Sequence, residues 1–154
     1  MRRLLREGAG LTIPEVLLSA VIISVAILAL VGLFPTALQN VQYGGHMSQA
    51  LSLGQEMIEM IRTQPFLTVS SYNGLDTGTT PGPLPPSVQS HYDQWKDDIV
   101  PAIAAGALPQ GRGTIQVTDN ALGFADLKQL TVTVTWRERG TQTITLVTYV
   151  ARHD

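Results

Sequence analysis

Residues 16–34 read VLLSAVIISVAILALVGLF, from Val16 to Phe34. Only Ser19 and Ser24 are polar, and each can bond back to its own helix backbone. A helix of that length rises about 1.5 Å per residue and spans roughly 28 Å, enough for the hydrocarbon core of a bilayer. The run lies inside a longer charge-free stretch: no Asp, Glu, Lys or Arg occurs between Glu15 and Glu56. All 10 basic and 12 acidic side chains of the 154-residue chain fall outside it. Charged residues make up 14% of the sequence, well below the roughly 25% of a soluble domain. A secretory signal peptide carries a shorter apolar core of about 7–15 residues and a small-x-small cleavage site. Here the run is longer, and Phe34-Pro35-Thr36-Ala37-Leu38 follows it. Arg2, Arg3 and Arg6 precede the run, and the next basic residue is Arg62. Short basic flanks stay cytoplasmic, so the N-terminus is expected inside and the C-terminal part outside the cytoplasm.

Bulk composition removes several classes of function. A net charge of -2 and a pI near 5.9 give no basic footprint for nucleic acid. The chain has no cysteine, which excludes disulfides, thiolate metal sites and a thiol nucleophile. His46, His91 and His153 are far apart and lack metal-ligand spacing. No Gly-x-Ser-x-Gly, phosphate loop or Ser-x-x-Lys is present. Asp93, Asp97 and Asp98 raise the question of calcium, but their spacing is not that of an EF-hand. They read as a solvated helix face. The expectation is a protein that is not an enzyme and uses no cofactor or metal.

The entry to the apolar run is more specific than the run itself. It reads Arg6-Glu7-Gly8-Ala9-Gly10-Leu11-Thr12-Ile13-Pro14-Glu15-Val16. This resembles the prepilin signal of type IV pilins and type II secretion pseudopilins. Gly10 matches the last residue of that family's basic leader, Leu11 the first mature residue, and Glu15 the glutamate at mature position five. Leu11 stands where the family usually has Phe, and Pro14 where it has an aliphatic residue. The resemblance implies cleavage between Gly10 and Leu11 by a prepilin peptidase and N-methylation of Leu11. It also implies that Glu15 pairs with the α-amino group of a neighbouring subunit during filament assembly. Physical chemistry gives Glu15 a second, compatible role. Thr12-x-x-Glu15 is a capping box, and an acid in the first turn complements the helix dipole. Losing the leader removes Arg2, Arg3, Arg6 and Glu7, which takes the side-chain balance from -2 to -4.

Beyond Phe34 the pattern changes. Gly32 and Pro35 mark an expected kink or local melt, because proline removes a backbone hydrogen bond. Helices of the pilin family are often bent in a similar place. From Gly45 onward, Met47, Ala50, Leu51, Gly54, Met57, Ile58 and Ile61 recur at helical spacing, so one face of residues 46–62 seeks a partner. Met47, Met57 and Met60 read as core filler. The stretch Leu51–Phe66 resembles the end of the N-terminal helix in PilV-type minor pilins and the related minor pseudopilins.

Residues 63–90, with TPGPLPP and many small polar residues, predict a long irregular connection and a candidate contact surface. The proline cluster Pro81–Pro86 reads as turn and spacer. Val88–Val100 predicts a short helix with Tyr92, Trp95 and Ile99 on one side, ended by Pro101. Three strands follow, at about 114–118, 129–137 and 142–151. Each alternates apolar residues with threonine or other polar residues, the pattern of a half-buried antiparallel sheet. Arg137-Glu138-Arg139-Gly140-Thr141 supplies the turn of a hairpin. The amphipathic helix Met47–Ile61 is expected to cover the apolar face.

The expected fold is therefore α+β and pilin-like. It has a leader (residues 1–10), a helix (11–62, membrane-spanning at about 16–34) and a small antiparallel head (63–154). By resemblance it is a minor pilin of a type IV pilus or pilus-like filament. A minor pseudopilin of type II secretion or competence is the nearest alternative. Its partners would be the prepilin peptidase, other pilin or pseudopilin subunits, an inner-membrane assembly platform and membrane lipid. Its place would be the inner membrane and then the filament. An uncleaved single-pass membrane anchor with a small extracytoplasmic binding domain is the alternative from another class.

Overall fold

The computed structural model describes residues 12–100 and 108–152. The leader, the Gly10–Leu11 junction, Pro101 and His153 lie outside the described residues. Helix α1 spans Ile13–Arg62, followed by a short helix α2, Phe66–Val69, and a 3-10 turn, Ser70–Tyr72. Helix α3 spans Pro86–Ile99. Strands β1 (Arg112–Thr118), β2 (Leu127–Arg137) and β3 (Thr141–Ala151) form one antiparallel sheet in the order β1-β2-β3. A long apolar helix with a three-stranded antiparallel sheet is the α+β, pilin-like layout the sequence predicts. The chain divides into two compact units, residues 1–42 and 43–154.

In the first unit, α1 is apolar and solvent-facing on every side. Every described residue from 12 to 42 is exposed, and none of the helix's most apolar 18-residue window is buried. Ser19 and Ser24 donate to the carbonyls of Glu15 and Ala20, at 2.8 and 2.7 Å. Their hydroxyls are thereby satisfied within the helix. Of the expected kink or local melt at Gly32 and Pro35, the melt does not occur, since α1 stays helical through both. Pro35 leaves one carbonyl, that of Val31, without its usual donor. The bonds on either side suffice to carry the helix across it.

The second unit holds the core. The buried face of α1 is Ala50, Leu53, Gly54, Met57, Ile58 and Ile61. Met47 and Leu51, expected on that face, are 49% and 38% exposed, and Leu53 takes their place. Met57 is core, as expected of filler, whereas Met47 is not. Helix α3 contributes Val88, Tyr92, Trp95 and Ile99, all essentially without exposure. It begins two residues earlier than expected, at Pro86, because proline is well tolerated in the first turn, where its missing N–H is no loss. Residues 63–90 are consequently less irregular than their composition implies, with α2, the 3-10 turn and the start of α3 inside them.

The sheet packs its alternating apolar face into this core. In register, Ile115, Val132 and Leu146 form one row, and Val117, Leu130 and Thr148 the next. The outer face carries threonines, with Thr114, Thr133 and Thr145 in one row. The outer edge of β1 is occupied by the loop that precedes α3. Ile115 donates to the Leu75 carbonyl at 2.8 Å, and Gly74 donates to the Ile115 carbonyl at 3.0 Å.

Two glycines set how closely the layers approach. A Cβ on Gly54 would fall 2.7 Å from Leu146 Cδ1, the free end of a flexible side chain. A Cβ on Gly113 would fall 2.3 Å from Trp95 Cη2 and 2.6 Å from Ile99 Cδ1, inside the packed core. Gly54→Ala should stay within about 1 kcal/mol of the parent, because the gain in helix propensity offsets a rotation of Leu146. Gly113→Ala should cost more, about 1–3 kcal/mol, since the indole cannot move aside. Thermal melts of the two variants check this, and equal losses would contradict it.

Candidate functional site

Glu15 lies in the first turn of α1 and is exposed. The Thr12 carbonyl accepts from the backbone N–H groups of Glu15 and Val16, at 3.0 and 3.1 Å. The turn that a capping box closes is therefore formed. The Glu15 carboxylate makes no hydrogen bond or ion pair among the described residues. A carboxylate at the head of an apolar helix costs free energy in a membrane unless it is paired or held near the interface, by about 2.5–3.5 kcal/mol at the centre and less toward the edge. The candidate assembly surface is this carboxylate followed by an apolar helix surface that the chain itself does not cover. Gly10 and Leu11, the expected cleavage pair, lie outside the described residues.

In the head, polar groups are held in structural pairs. Asp76 accepts from Arg112 Nε at 2.8 Å and from the Gly78 N–H at 2.8 Å, while the second guanidinium nitrogen of Arg112 bonds its other oxygen. The guanidinium beside it holds the Asp76 carboxyl below the usual carboxylate range, by hydrogen bonding first and by charge as well. The Tyr92 hydroxyl reaches the carbonyls of Asp76 and Thr79, at 3.1 and 2.7 Å. These bonds tie the loop between the 3-10 turn and α3 to both β1 and α3.

A folded-state pKa lower than the unfolded one stabilises the fold above the ordinary carboxylate range. That stabilisation is lost as pH falls through the lowered value. Head stability should therefore drop on acidification below about pH 4. Asp76→Asn should have a lower melting temperature at neutral pH and a shallower acid loss. Melts between pH 2 and 7 test this, and parallel curves would refute it.

Lys128 is a functional-looking residue that the sequence reading passed over. Its side chain is 8% exposed. Its ammonium lies 2.5 Å from Asp119 Oδ1, bonds the Ser70 hydroxyl, and stands 4.7 Å from the centre of the Phe66 ring. The signal was available, because Lys128 falls in phase with Leu130, Val132, Val134 and Trp136 on the inner face. A serine beside a buried lysine invites a nucleophile reading. Here Ser70 instead donates to Asp119 at 3.0 Å, and both bonds hold the Asp119 carboxyl below the usual range. Lys128 Nζ donates to the Ser70 oxygen while the Ser70 hydroxyl donates to Asp119, so the serine proton points to the carboxylate and not to the lysine nitrogen. Phe66 lies between two cations, with the Arg152 guanidinium 5.5 Å from its ring. The adjacent groove, about 420 Å³, is lined by Arg62, Gln64, Pro65, Phe66 and Tyr149–Ala151. It is open and gathers no acid–base pair.

His46 and His91 are held in structural contacts as well. His46 Nδ1 lies 3.0 Å from Glu138 and joins α1 to the β2–β3 turn. The Tyr72 hydroxyl lies in hydrogen-bond contact with His91 Nδ1 at 2.6 Å, and burial pushes its phenol up to about 12. Asp93, Asp97 and Asp98 are exposed along α3. No group of three His, Asp or Glu side chains that could hold a metal ion occurs among the described residues. No protein-family model, curated protein or solved structure matches the chain.

Proposed function

We propose that the chain is a structural subunit of a type IV pilus or pilus-like filament, a minor pilin in the inner membrane before assembly. The observation that carries this reading is α1 from Ile13 to Phe34, apolar and exposed on all sides and headed by Glu15, whose carboxylate has no partner among the described residues. Free energy requires such a surface to be covered by lipid or by neighbouring helices. Capping gives the carboxylate a use in any anchor helix, and a bundle of processed subunits adds to it an amine that offsets its charge in an apolar setting.

In this reading a prepilin peptidase cuts after Gly10 and methylates Leu11, and the head faces away from the cytoplasm. The assembly platform and the other pilin subunits are its partners. The likeness of Leu51–Phe66 to the helix ends of minor pilins and minor pseudopilins favours a minor subunit over a major one. Intact-mass measurement of the protein extracted from membranes of its own source cell tests the proposal. The expected product begins at Leu11 and carries one added methyl group. A chain that keeps Met1–Gly10 overturns it in favour of the uncleaved anchor.

A further inference from the structure

The two edges of the sheet are finished differently. On the β1 edge, the loop before α3 pairs with the strand. Ile115 uses both its N–H and its carbonyl there, at 2.8 and 3.0 Å, and the Thr77 N–H donates to the Gly113 carbonyl at 2.9 Å. On the β3 edge no described residue does the same. The register fixes which groups of β3 are left over. Ile115 is turned to the loop, so its cross-strand partner Val132 is turned to β3, where it pairs with Leu146. Successive residues of a strand send their backbone groups to opposite sides. Ile144, Leu146, Thr148 and Val150 therefore bond β2, and the Arg152 N–H continues that ladder onto the Asp126 carbonyl at 2.9 Å. The N–H and C=O groups of Thr143, Thr145, Val147 and Tyr149 point away from the sheet and have no hydrogen-bond partner among the described residues.

Exposed strand edges are usually blunted by a charge, a proline, a bulge or sheer shortness. Strand β3 has none of these. It runs for 11 residues, Thr141–Ala151. It contains no Asp, Glu, Lys, Arg or Pro, and it pairs residue for residue with β2 along its whole length. Its two faces also differ. Thr143, Thr145, Val147 and Tyr149 are exposed on the outer face, whereas Ile144, Leu146 and Val150 are half-buried against the core. The groove lined by Phe66, Tyr149 and Val150 opens at the end of this edge.

We propose that the β3 edge is an acceptor for one extended, uncharged strand of a different polypeptide, which adds a fourth strand to the sheet. The unpaired backbone groups select a strand through main-chain bonds, and the two faces of β3 select its side chains. Small polar residues lie beside the threonines. Apolar residues extend the row of Ile144, Leu146 and Val150, the last of them reaching the groove at Phe66. Antiparallel pairing is the more stable kind. Between two copies of β3 it would reverse the Tyr43–Arg62 part of α1 as well, while subunits anchored alike in one membrane run parallel. The strand therefore belongs to another chain. That last step rests on the membrane-anchored reading proposed above, and the acceptor edge itself does not. The contact takes one partner per head and does not propagate from copy to copy, which suits a minor subunit.

The probe is a synthetic peptide with the sequence Leu127–Arg137, which has the required alternation, offered to the isotope-labelled full-length chain in detergent. Before the peptide is added, the amides of Thr143, Thr145, Val147 and Tyr149 should exchange quickly with solvent, and those of Ile144, Leu146 and Thr148 slowly. Saturating peptide should slow the first set by at least about tenfold. A peptide N-methylated at Thr131, Thr133 and Thr135 should lose at least about tenfold in affinity, because a strand in phase with the faces of β3 turns those N–H groups toward it. One N-methylated at Leu130, Val132 and Val134 should bind like the parent. Val147→Pro removes an outward N–H and leaves the ladder to β2 intact, so it should weaken binding, whereas Val147→Thr should not. Should the proline variant fail to fold, the two methylated peptides still decide. No binding, equal losses from the two methylated peptides, or protection of a different set of amides overturns the acceptor edge. Protection of the same amides by self-association, without peptide, assigns the edge to a second copy and overturns the choice of a different chain. None of these outcomes bears on cleavage after Gly10, which intact mass reads separately.

Discussion

Trp95→Ala should remove about 3–5 kcal/mol from the stability of the head. Domains of this size are stable by only about 5–15 kcal/mol in total. Trp95 has no exposed surface, and its indole N–H donates to the Leu53 carbonyl at 3.0 Å. It is the largest fully buried side chain and fills the space that Gly113 leaves above β1. The Leu53 carbonyl keeps its helical donor after the substitution, so the loss is chiefly one of packing. A melting temperature tens of degrees lower is expected from about 4–8 °C per kcal/mol. The transition should be followed by the near-ultraviolet signal of Trp136, because α1 will hold its far-ultraviolet helix signal in detergent. A shift under about 5 °C would mean that Trp95 does not anchor α3. Coupling provides a second check. In a Trp95→Phe background, Gly113→Ala should cost less than in the parent, because the smaller ring makes room for the methyl group.

The elements that could be read from sequence are those with an uninterrupted period. The run Val16–Phe34 and the strands at 114–118, 129–137 and 142–151 were legible because apolar residues alone decided them. The strands prove longer by one or two residues, with pairing that reaches Arg112 and Leu127. Reading failed where composition concealed a period. Thr63–Ser90 looked irregular for its glycines and prolines, yet α2 and the first residues of α3 lie within it. Leu53 was missed for Leu51 because adjacent leucines fit a helical stripe about equally well. Which of them is buried depends on where β3 crosses the helix, a long-range fact set by the Gly54–Leu146 contact.

The candidate site divides in the same way. Glu15 was legible because it is the last charge before a long uncharged stretch, an anomaly that one sequence displays. Lys128 was not singled out, although its phase within β2 pointed inward, because a single charge in an alternating strand usually marks the end of the strand. The partners of the head's charges were not legible at all. Asp76 and Arg112 are 36 residues apart, and His46 and Glu138 are 92 apart. Only the sheet and its covering helices bring them together.

The larger functional effect should come from Glu15→Ala. The substitution should leave the chain in the membrane, since the apolar run is untouched and a costly carboxylate has gone from its head. Incorporation into filaments should fall by at least tenfold. In the proposed assembly the carboxylate neutralises the α-amino group on Leu11 of a neighbouring subunit, amid apolar helices. Removing one partner of such a pair strands the other charge in a low dielectric, at a cost of about 3–5 kcal/mol. Each 1.4 kcal/mol is about tenfold in an equilibrium constant, so tenfold is a lower bound that allows for residual water. Glu15→Gln separates this from capping. Glutamine keeps the length and the acceptor oxygen that a capping box uses, but it has no charge to set against the amine. An assembly role predicts that glutamine restores helix stability without restoring incorporation. A capping role predicts that it restores both. The comparison is made by quantifying subunit in sheared filaments against subunit in membranes. Equal incorporation of the parent and Glu15→Ala would reduce Glu15 to a helix cap and leave the apolar surface of α1 as the sole basis for assembly.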